Sequence, residues 1–370
     1  MTEQNFIPDE WDLLEAKEQM NENEMVNAEA VKEPINEEYE KLWKIYEAGI
    51  PIPETQEEWL EIRKRGIGGS DVAGIMGINP WASPLTVYLD KVGVTGKKET
   101  NEKMEIGTEL EPFLREKFRK KMSKELTDLK VITVKKILFH QEHNFILANV
   151  DGLVYCKEYG WGILELKTTS ERNSSEWVDD VIPNNYMCQV QHYLFVTGLQ
   201  YAYIACLIGG QKFVVKRILR DNELIDILFD KERFFWEEFV VKRIPPAPIG
   251  IESEEDAAKL AFPTADKTEI SLPDELFNEL EQYQSLKEEI KEKEKQIKAF
   301  EVKMKFIMGN ASKATLCQYS ITYPSISAYR FNDTELREKY PEIYKEFLKP
   351  SDYRRFEIKK AKIKKVKKVI

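Results

Sequence analysis

Histidine and cysteine are scarce in this chain of 370 residues, and their scarcity narrows the chemistry open to it. Three histidines, His140, His143 and His192, argue against a multi-histidine metal centre. The four cysteines, Cys156, Cys188, Cys206 and Cys317, show no CxxC spacing. That leaves neither a zinc site nor a disulfide framework, and it suits a reducing cytoplasm. No apolar run approaches the length of a bilayer span, and Met1–Met20 carries no signal-peptide pattern, so no membrane role is expected. Internal repeats are also absent. A hydrophobic content of 42% with 32% charged residues fits a soluble globular protein with exposed helices. The length suits one large domain, or a core with a smaller appendage.

The formal net charge of −10 is unevenly placed. Residues 1–58 hold 17 acids and 4 bases, a net of −13, whereas residues 349–370 hold 10 bases and 2 acids, a net of +8. A global sign does not describe a protein with such opposed ends, so a nucleic-acid partner stays open.

Three segments are expected. Residues 1–58 read as an acidic, partly helical arm, with a short amphipathic helix from Asn36 to Glu47 and a turn at IPIPET. Residues 59–244 mix strand and helix periods. Helices are predicted at Trp59–Arg65, Asp71–Met76, from Ser83-Pro84, Lys103–Lys121, Tyr186–Thr197 and Asn222–Lys242. Strands are predicted at Val131–Phe139, Ile146–Tyr155, Gly162–Thr168, Tyr201–Ile208 and Lys212–Leu219, the last pair joined through Gly209-Gly210. PPAPIG, Pro245–Gly250, marks a boundary before a helical appendage, residues 245–370, with a basic tail. There Leu276, Tyr283, Ile290, Ile297 and Met304 recur every seven residues on a long helix, Pro273–Met308. The stripe is coiled-coil-like, broken at Lys293; it suits a helix packed on its own domain or a surface for a partner.

The strand GILELKTTS, Gly162–Ser170, places Glu165 and Lys167 two residues apart, hence on one face of an otherwise apolar strand. An acid and a base buried together cost free energy unless something offsets them. ILANVDGLV puts Asp151 at the end of the preceding strand, so two carboxylates can meet. Hard oxygen ligands of this kind suit Mg²⁺ or Mn²⁺, and a neighbouring lysine can stabilise phosphate charge or position a water. A structural Glu–Lys pair remains the plain alternative. YMCQVQHYLFVTG places Tyr186, Gln189 and Tyr193 on adjoining helix faces. IGTELEPFLREKF carries Glu109 and Glu111 near a helix start, and RKRGIGGSD supplies Arg63, Arg65 and a glycine turn running into Ser70-Asp71. Backbone N–H groups at such a turn, with an arginine nearby, make an anion site.

Taken in order, RKRGIGGSDVAGIMG, GTELEPFLREKF, NVDGLV, LELKTTS and YMCQVQHYLFVTG resemble the YqaJ-type viral recombinases. These are relatives of phage lambda exonuclease in the PD-(D/E)xK nuclease superfamily. The resemblance spans roughly Trp59–Arg243. It implies an α/β (α+β) restriction-endonuclease-like core with a central mixed β-sheet flanked by helices, here followed by the helical appendage. By the same resemblance Asp151, Glu165 and the backbone carbonyl of Leu166 would hold the metal, Mg²⁺ or Mn²⁺. Lys167 would orient or activate the attacking water. Glu111, rather than Glu109, matches the helix glutamate, and Gln189 the active-site glutamine. Arg63 with Ser70 matches the pair that grips a terminal 5′-phosphate, with Arg65 a competitor. The leading "PD" reads Val150-Asp151 here.

The activity implied is 5′-to-3′ degradation of linear double-stranded DNA in a bacterial host cytoplasm, by a phage or prophage enzyme. It would release 5′-mononucleotides and leave 3′ strands for a phage single-strand annealing protein. A toroidal homotrimer is implied as well. An endonuclease of the same superfamily and a non-catalytic DNA-binding recombination scaffold are the rival readings; the intact Asp151, Glu165 and Lys167 set speaks against the scaffold.

Overall fold

The computed structural model describes residues 32–359, apart from 54, 95–101, 267, 351 and 352. The acidic arm through residue 31 and the end of the basic tail therefore lie outside the described residues. The chain divides into two compact units, one extending to Pro263 and the other beginning at Thr264.

The first unit is built on a five-stranded mixed sheet. In spatial order its strands are β3 (Lys130–Ile132), β6 (Gly152–Cys156), β7 (Gly160–Thr169), β8 (Tyr201–Ile208) and β9 (Lys212–Leu219). Only β7 and β8 run parallel, which requires a crossover, and the helix Asn184–Thr197 supplies it. Every residue of β8 is buried, as befits a central strand covered on both faces.

Alternate residues of β7 and β8 feed two separate cores. Ile163, Ala202, Ile204 and Cys206 join the core that includes Val190 and Leu194 of the crossover helix. Leu164, Leu166, Tyr203, Ala205 and Leu207 pack instead with Leu114, Phe118 and Met122 of the helix Glu102–Met122. The fold is thus mixed α/β, a sheet between helical layers. Glu165, between Leu164 and Leu166, shares a face with Ile163 and so points toward the crossover helix.

A second sheet of four strands lies beside the first in the same unit. In spatial order it contains β1 (Ile50–Pro51), β4 (Lys136–Phe139), β5 (Ile146–Ala148) and β2 (Ile67–Gly68). This changes four expectations. IPIPET is more than a turn, because Ile50 and Pro51 pair with Ile137 and Lys136. Val131–Phe139 is two strands, β3 and β4, in different sheets. Ile146–Tyr155 also divides, into β5 and β6, and Asp151 lies in the bend that opens β6 rather than at a strand's end. Strand periodicity is blind to a change of sheet, since both halves stay apolar. The glycine stretch, finally, is itself a strand, with Ile67 and Gly68 pairing parallel to Ile146 and Leu147.

We number the helices α1 (Lys32–Ala48), α2 (Gln56–Arg63), α3 (Gly69–Ile75), α4 (Pro84–Lys91), α5 (Glu102–Met122), α6 (Asn184–Thr197), α7 (Asn222–Phe234) and α8 (Glu252–Ala261). α1 contributes buried Leu42, Ile45 and Tyr46 to the core. α4 begins as its sequence predicts, with Ser83 accepting from the Thr86 N–H at 3.2 Å and Pro84 at the first helical position. The helix expected through Lys242 changes to a π-helix over Phe235–Val241. α8 belongs to the first unit, later in the chain than the Pro245–Gly250 boundary read from the sequence. Its Glu254 carboxylate accepts from the N–H groups of Ile249, Gly250 and Ile251, which ties the proline-rich segment to it.

In the second unit, α9 (Leu276–Met308) is followed by the antiparallel hairpin β10 (Lys313–Leu316) and β11 (Tyr319–Thr322), then α10 (Asp333–Lys339) and α11 (Pro341–Glu346). No residue of α9 is buried. Of the two readings of its apolar stripe, packing into a core of its own unit is therefore not observed. Ile290 and Ile297 are exposed.

Candidate active site

β7 carries the centre of the site. Glu165 is 1% exposed, and its Oε1 accepts from Lys167 Nζ on the same strand face and from Gln189 Nε2 of α6 at 2.7 Å. The Gln189 nitrogen also meets Tyr193 Oη at 3.0 Å. The other carboxylate oxygen, Glu165 Oε2, is buried without a hydrogen-bond partner. Lys167 Nζ lies 5.3 Å from the centre of the Tyr186 ring. Tyr186, Gln189 and Tyr193 thus all turn toward β7, as their spacing on one helix foretells.

Asp151 approaches from the bend before β6, and its Oδ2 accepts the Leu166 N–H at 2.7 Å. A strand residue turns its N–H and C=O to the same edge, so the Leu166 carbonyl also faces the β6 side. Glu111, half-buried on α5, raises the local negative charge, whereas Glu109 is exposed. Burial and the Asp151 carboxylate push the Glu111 pKa up to about 7. For Glu165, burial and then Asp151 act in the same upward direction, only partly opposed by Lys167. Asp151 is likewise raised by burial, against the pull of Lys167 and the Leu166 N–H. Burial disfavours the Lys167 ammonium, but Glu165 and Asp151 outweigh it and raise its pKa.

Three carboxylates share too little positive charge here, and one buried oxygen lacks a partner. A divalent cation would supply what the site lacks. Among the described residues no three acidic, histidine or cysteine side chains gather closely enough to hold an ion by themselves. The donor set that fits is therefore Asp151, Glu165 and the Leu166 carbonyl completed by water, a composition natural to Mg²⁺.

Arg63, Ser70 and Asp71 form a second cluster. Arg63 Nη2 donates to Ser70 Oγ at 2.9 Å and to Asp71 Oδ1 at 2.8 Å, and its guanidinium lies 4.8 Å from the centre of the Trp59 ring. Arg65 is elsewhere, lining a cleft with Ile50, Phe139, His140 and Asn144. Two N–H groups of the glycine turn are already taken. That of Ile67 donates to Phe145 O at 2.6 Å and that of Gly68 to Asp71 Oδ2 at 2.9 Å. Its glycines instead permit close packing. A Cβ on Gly69 would collide with the Tyr193 ring, and one on Gly66 would collide with Phe145 O.

Three participants escape a reading of the sequence. Arg115, one turn after Glu111 on α5, donates to the Asp151 carbonyl at 2.9 Å; only its i,i+4 spacing from Glu111 could have flagged it. Asp71 looked like a helix-start residue, and Lys91 gave no signal at all. Lys91 Nζ reaches Asp71 Oδ2 at 2.5 Å.

The model of the YqaJ-like viral recombinase domain matches residues 58–200. Two solved structures resemble the chain at a TM-score of 0.40: an alkaline exonuclease, LHK-Exo, from Laribacter hongkongensis and the same enzyme in complex with dAMP. They are 22% and 24% identical, each covering 55% of this chain and 100% of its own. The uncharacterized protein YqaJ of Bacillus subtilis (strain 168) is 38% identical over 311 residues, 83% of this chain and 95% of that protein. Likeness of that extent, running well beyond the domain match, shows that the chain belongs to the YqaJ-like viral recombinase family.

Proposed function

We propose that the protein is a metal-dependent nuclease that degrades one strand of linear duplex DNA from its 5′ end, releasing 5′-mononucleotides. The observation that carries this reading is the buried Glu165, whose one oxygen is held by Lys167 and Gln189 while the other has no partner, with the Asp151 carboxylate acting on the same group. A purely structural ion pair needs no second carboxylate pressing on it and no orphaned oxygen.

Asp151, Glu165 and the Leu166 carbonyl would hold Mg²⁺ or Mn²⁺. When bound, the ion supplies compensation for the charge that develops on the phosphate and lowers the pKa of a coordinated water. Lys167, fixed against Glu165, orients the attacking water and adds positive charge at the scissile phosphate. Gln189 keeps the Glu165 carboxylate in one orientation. Arg115 secures the bend that presents Asp151 through its bond to the Asp151 carbonyl, and Glu111 adds a third carboxylate beside the metal ligands. Arg63 with Ser70 receives the terminal 5′-phosphate, which gives the enzyme its preference for ends. The remaining 3′ strand passes to a phage-type single-strand annealing protein, and a homotrimer encircling the duplex would give processivity. Action in the bacterial cytoplasm belongs to the same proposal.

The test is incubation with linear and circular duplexes, with and without Mg²⁺, comparing 5′-phosphate and 5′-hydroxyl ends. Metal-dependent loss of linear DNA alone, faster from phosphorylated ends, is expected. Cutting of closed circles would mark an endonuclease, and binding without digestion a non-catalytic scaffold.

A further inference from the structure

Behind Arg63 lies a buried lysine, Lys91, that neither the family motifs nor the proposed chemistry uses. Lys91, the last residue of α4, has its side chain fully enclosed. Its ammonium donates to Asp71 Oδ2 at 2.5 Å and to the main-chain carbonyl of Arg63 at 3.0 Å. Asp71 Oδ1 accepts from Arg63 Nη2 at 2.8 Å. Two cations therefore share one carboxylate in direct contact, a local surplus of one positive charge; Asp90 also acts on Lys91 but forms no ion pair with it.

That surplus has a single outlet. Lys91 has no access to solvent, whereas the Arg63 side chain is 22% exposed and bonded to Ser70 Oγ. With Asp71 satisfied in part by Lys91, Arg63 is not fully neutralised by its own ion pair and keeps charge to offer outward. Burial of an ammonium is costly, and one carboxylate shared between two cations is a poor return if stability alone were at stake.

We infer that Lys91 is a positioning residue that sets the charge Arg63 presents to an anionic DNA end, acting through Asp71; this rests on the proposed role of Arg63 and Ser70 in holding a 5′-phosphate. Without Lys91, Asp71 and Arg63 become a neutral pair, and Arg63 is drawn onto the carboxylate. Without both Lys91 and Asp71 charges, the lone Arg63 charge restores the surplus of one.

The experiment compares wild type, Lys91→Met and the double variant Asp71→Asn/Lys91→Met on linear duplexes bearing 5′-phosphate or 5′-hydroxyl ends, with Mg²⁺. The readout is the ratio of kcat/KM between the two ends, so each protein serves as its own reference. Lys91→Met is expected to lower the ratio about tenfold, the scale of one charge-assisted contact, mainly through KM for phosphorylated ends. The double variant is expected to return to within a few-fold of wild type. A merely structural lysine would leave the ratio unmoved in Lys91→Met, or leave the double variant as unselective as the single one; either result overturns the inference. If Lys91→Met does not fold, Asp71→Asn is compared with the double variant: a higher ratio in Asp71→Asn, where the Lys91 charge remains behind Arg63, supports the inference, and equal ratios overturn it. Failure of the wild-type protein to digest DNA, or to prefer phosphorylated ends, would instead refute the proposed function itself.

Discussion

Gln189 of α6 donates to Glu165 Oε1 of β7 at 2.7 Å, across the interface between the crossover helix and the sheet. The amide fixes which carboxylate oxygen faces Lys167 and leaves the other free of protein partners. Gln189→Ala should lower kcat about ten- to a hundredfold, the scale of a hydrogen bond to a charged group, with the fold intact. Single-turnover digestion of a short duplex measures it. A variant with wild-type kcat would make Gln189 a satisfied core amide and nothing more.

Asp151→Asn and Glu165→Gln should each abolish metal-dependent cleavage, falling by about a hundredfold or more when charge at the reacting phosphate is left unsupported. A second readout needs no turnover. Mg²⁺ should raise the melting temperature of wild type by mass action and fail to do so in either variant. In the absence of metal, Glu165→Gln should melt at or above wild type, because it removes a buried charge that burial and Asp151 both disfavour.

Arg63 and Arg65 can be separated by their neighbours. Arg63 bonds Ser70, while Arg65 lines the cleft with His140 and Asn144. Arg63→Ala should narrow the rate gap between 5′-phosphate and 5′-hydroxyl ends by about ten- to a hundredfold. Arg65→Ala should leave that gap alone. The reverse pattern in an end-labelled digestion would transfer the role to Arg65.

His192 predicts a pH dependence of stability. Its ring is buried, with Nδ1 3.0 Å from Glu232 Oε1 and Nε2 2.9 Å from Leu147 O, so only the imidazolium donates to both. Burial opposes that charge, but Glu232 outweighs it and raises the pKa above 6.5. A raised folded pKa means that the pairing stabilises fully below about pH 6.5 and that its contribution is lost as pH rises through the folded value. A tenfold difference in proton affinity between the folded and unfolded chain is worth about 1.4 kcal/mol. Urea midpoints across pH 6 to 10 should show wild type losing its advantage over Glu232→Gln as pH rises. Parallel profiles would show that the pair does not titrate in this way.

The place where the chain is cut should matter more than the length removed. A truncation after Pro263 deletes only the second unit and should keep metal-dependent digestion of short duplexes. A truncation after Ile244 also removes α8, with buried Ala257 and the Glu254 carboxylate that caps Ile249 to Ile251. It should be the less stable, and prone to aggregate. Equal melting temperatures for the two products would mean that α8 contributes nothing to the first unit.

Much was legible in the sequence where local rules decide. Ser83-Pro84 starts a helix because a hydroxyl cap and a fixed φ act within one turn. Tyr201–Ile208 and Lys212–Leu219 are strands with the predicted bounds because two glycines at positive φ close the hairpin between them. Glu165 and Lys167 share a face because strand alternation leaves no other choice, and the motif order was enough to suggest the family. Tertiary structure decided the rest. Whether Val131–Phe139 is one strand or two depends on which sheet each half joins, and both halves carry the same apolar pattern. The ladder with β5 that turns the glycine stretch into a strand is non-local, as is the bond from Arg115 to the Asp151 carbonyl, 36 residues apart. Lys91 is the clearest case. A lysine ending an amphipathic helix reads as solvated surface, and only packing that brings Asp71 and the Arg63 carbonyl to its ammonium makes burial of that charge tolerable.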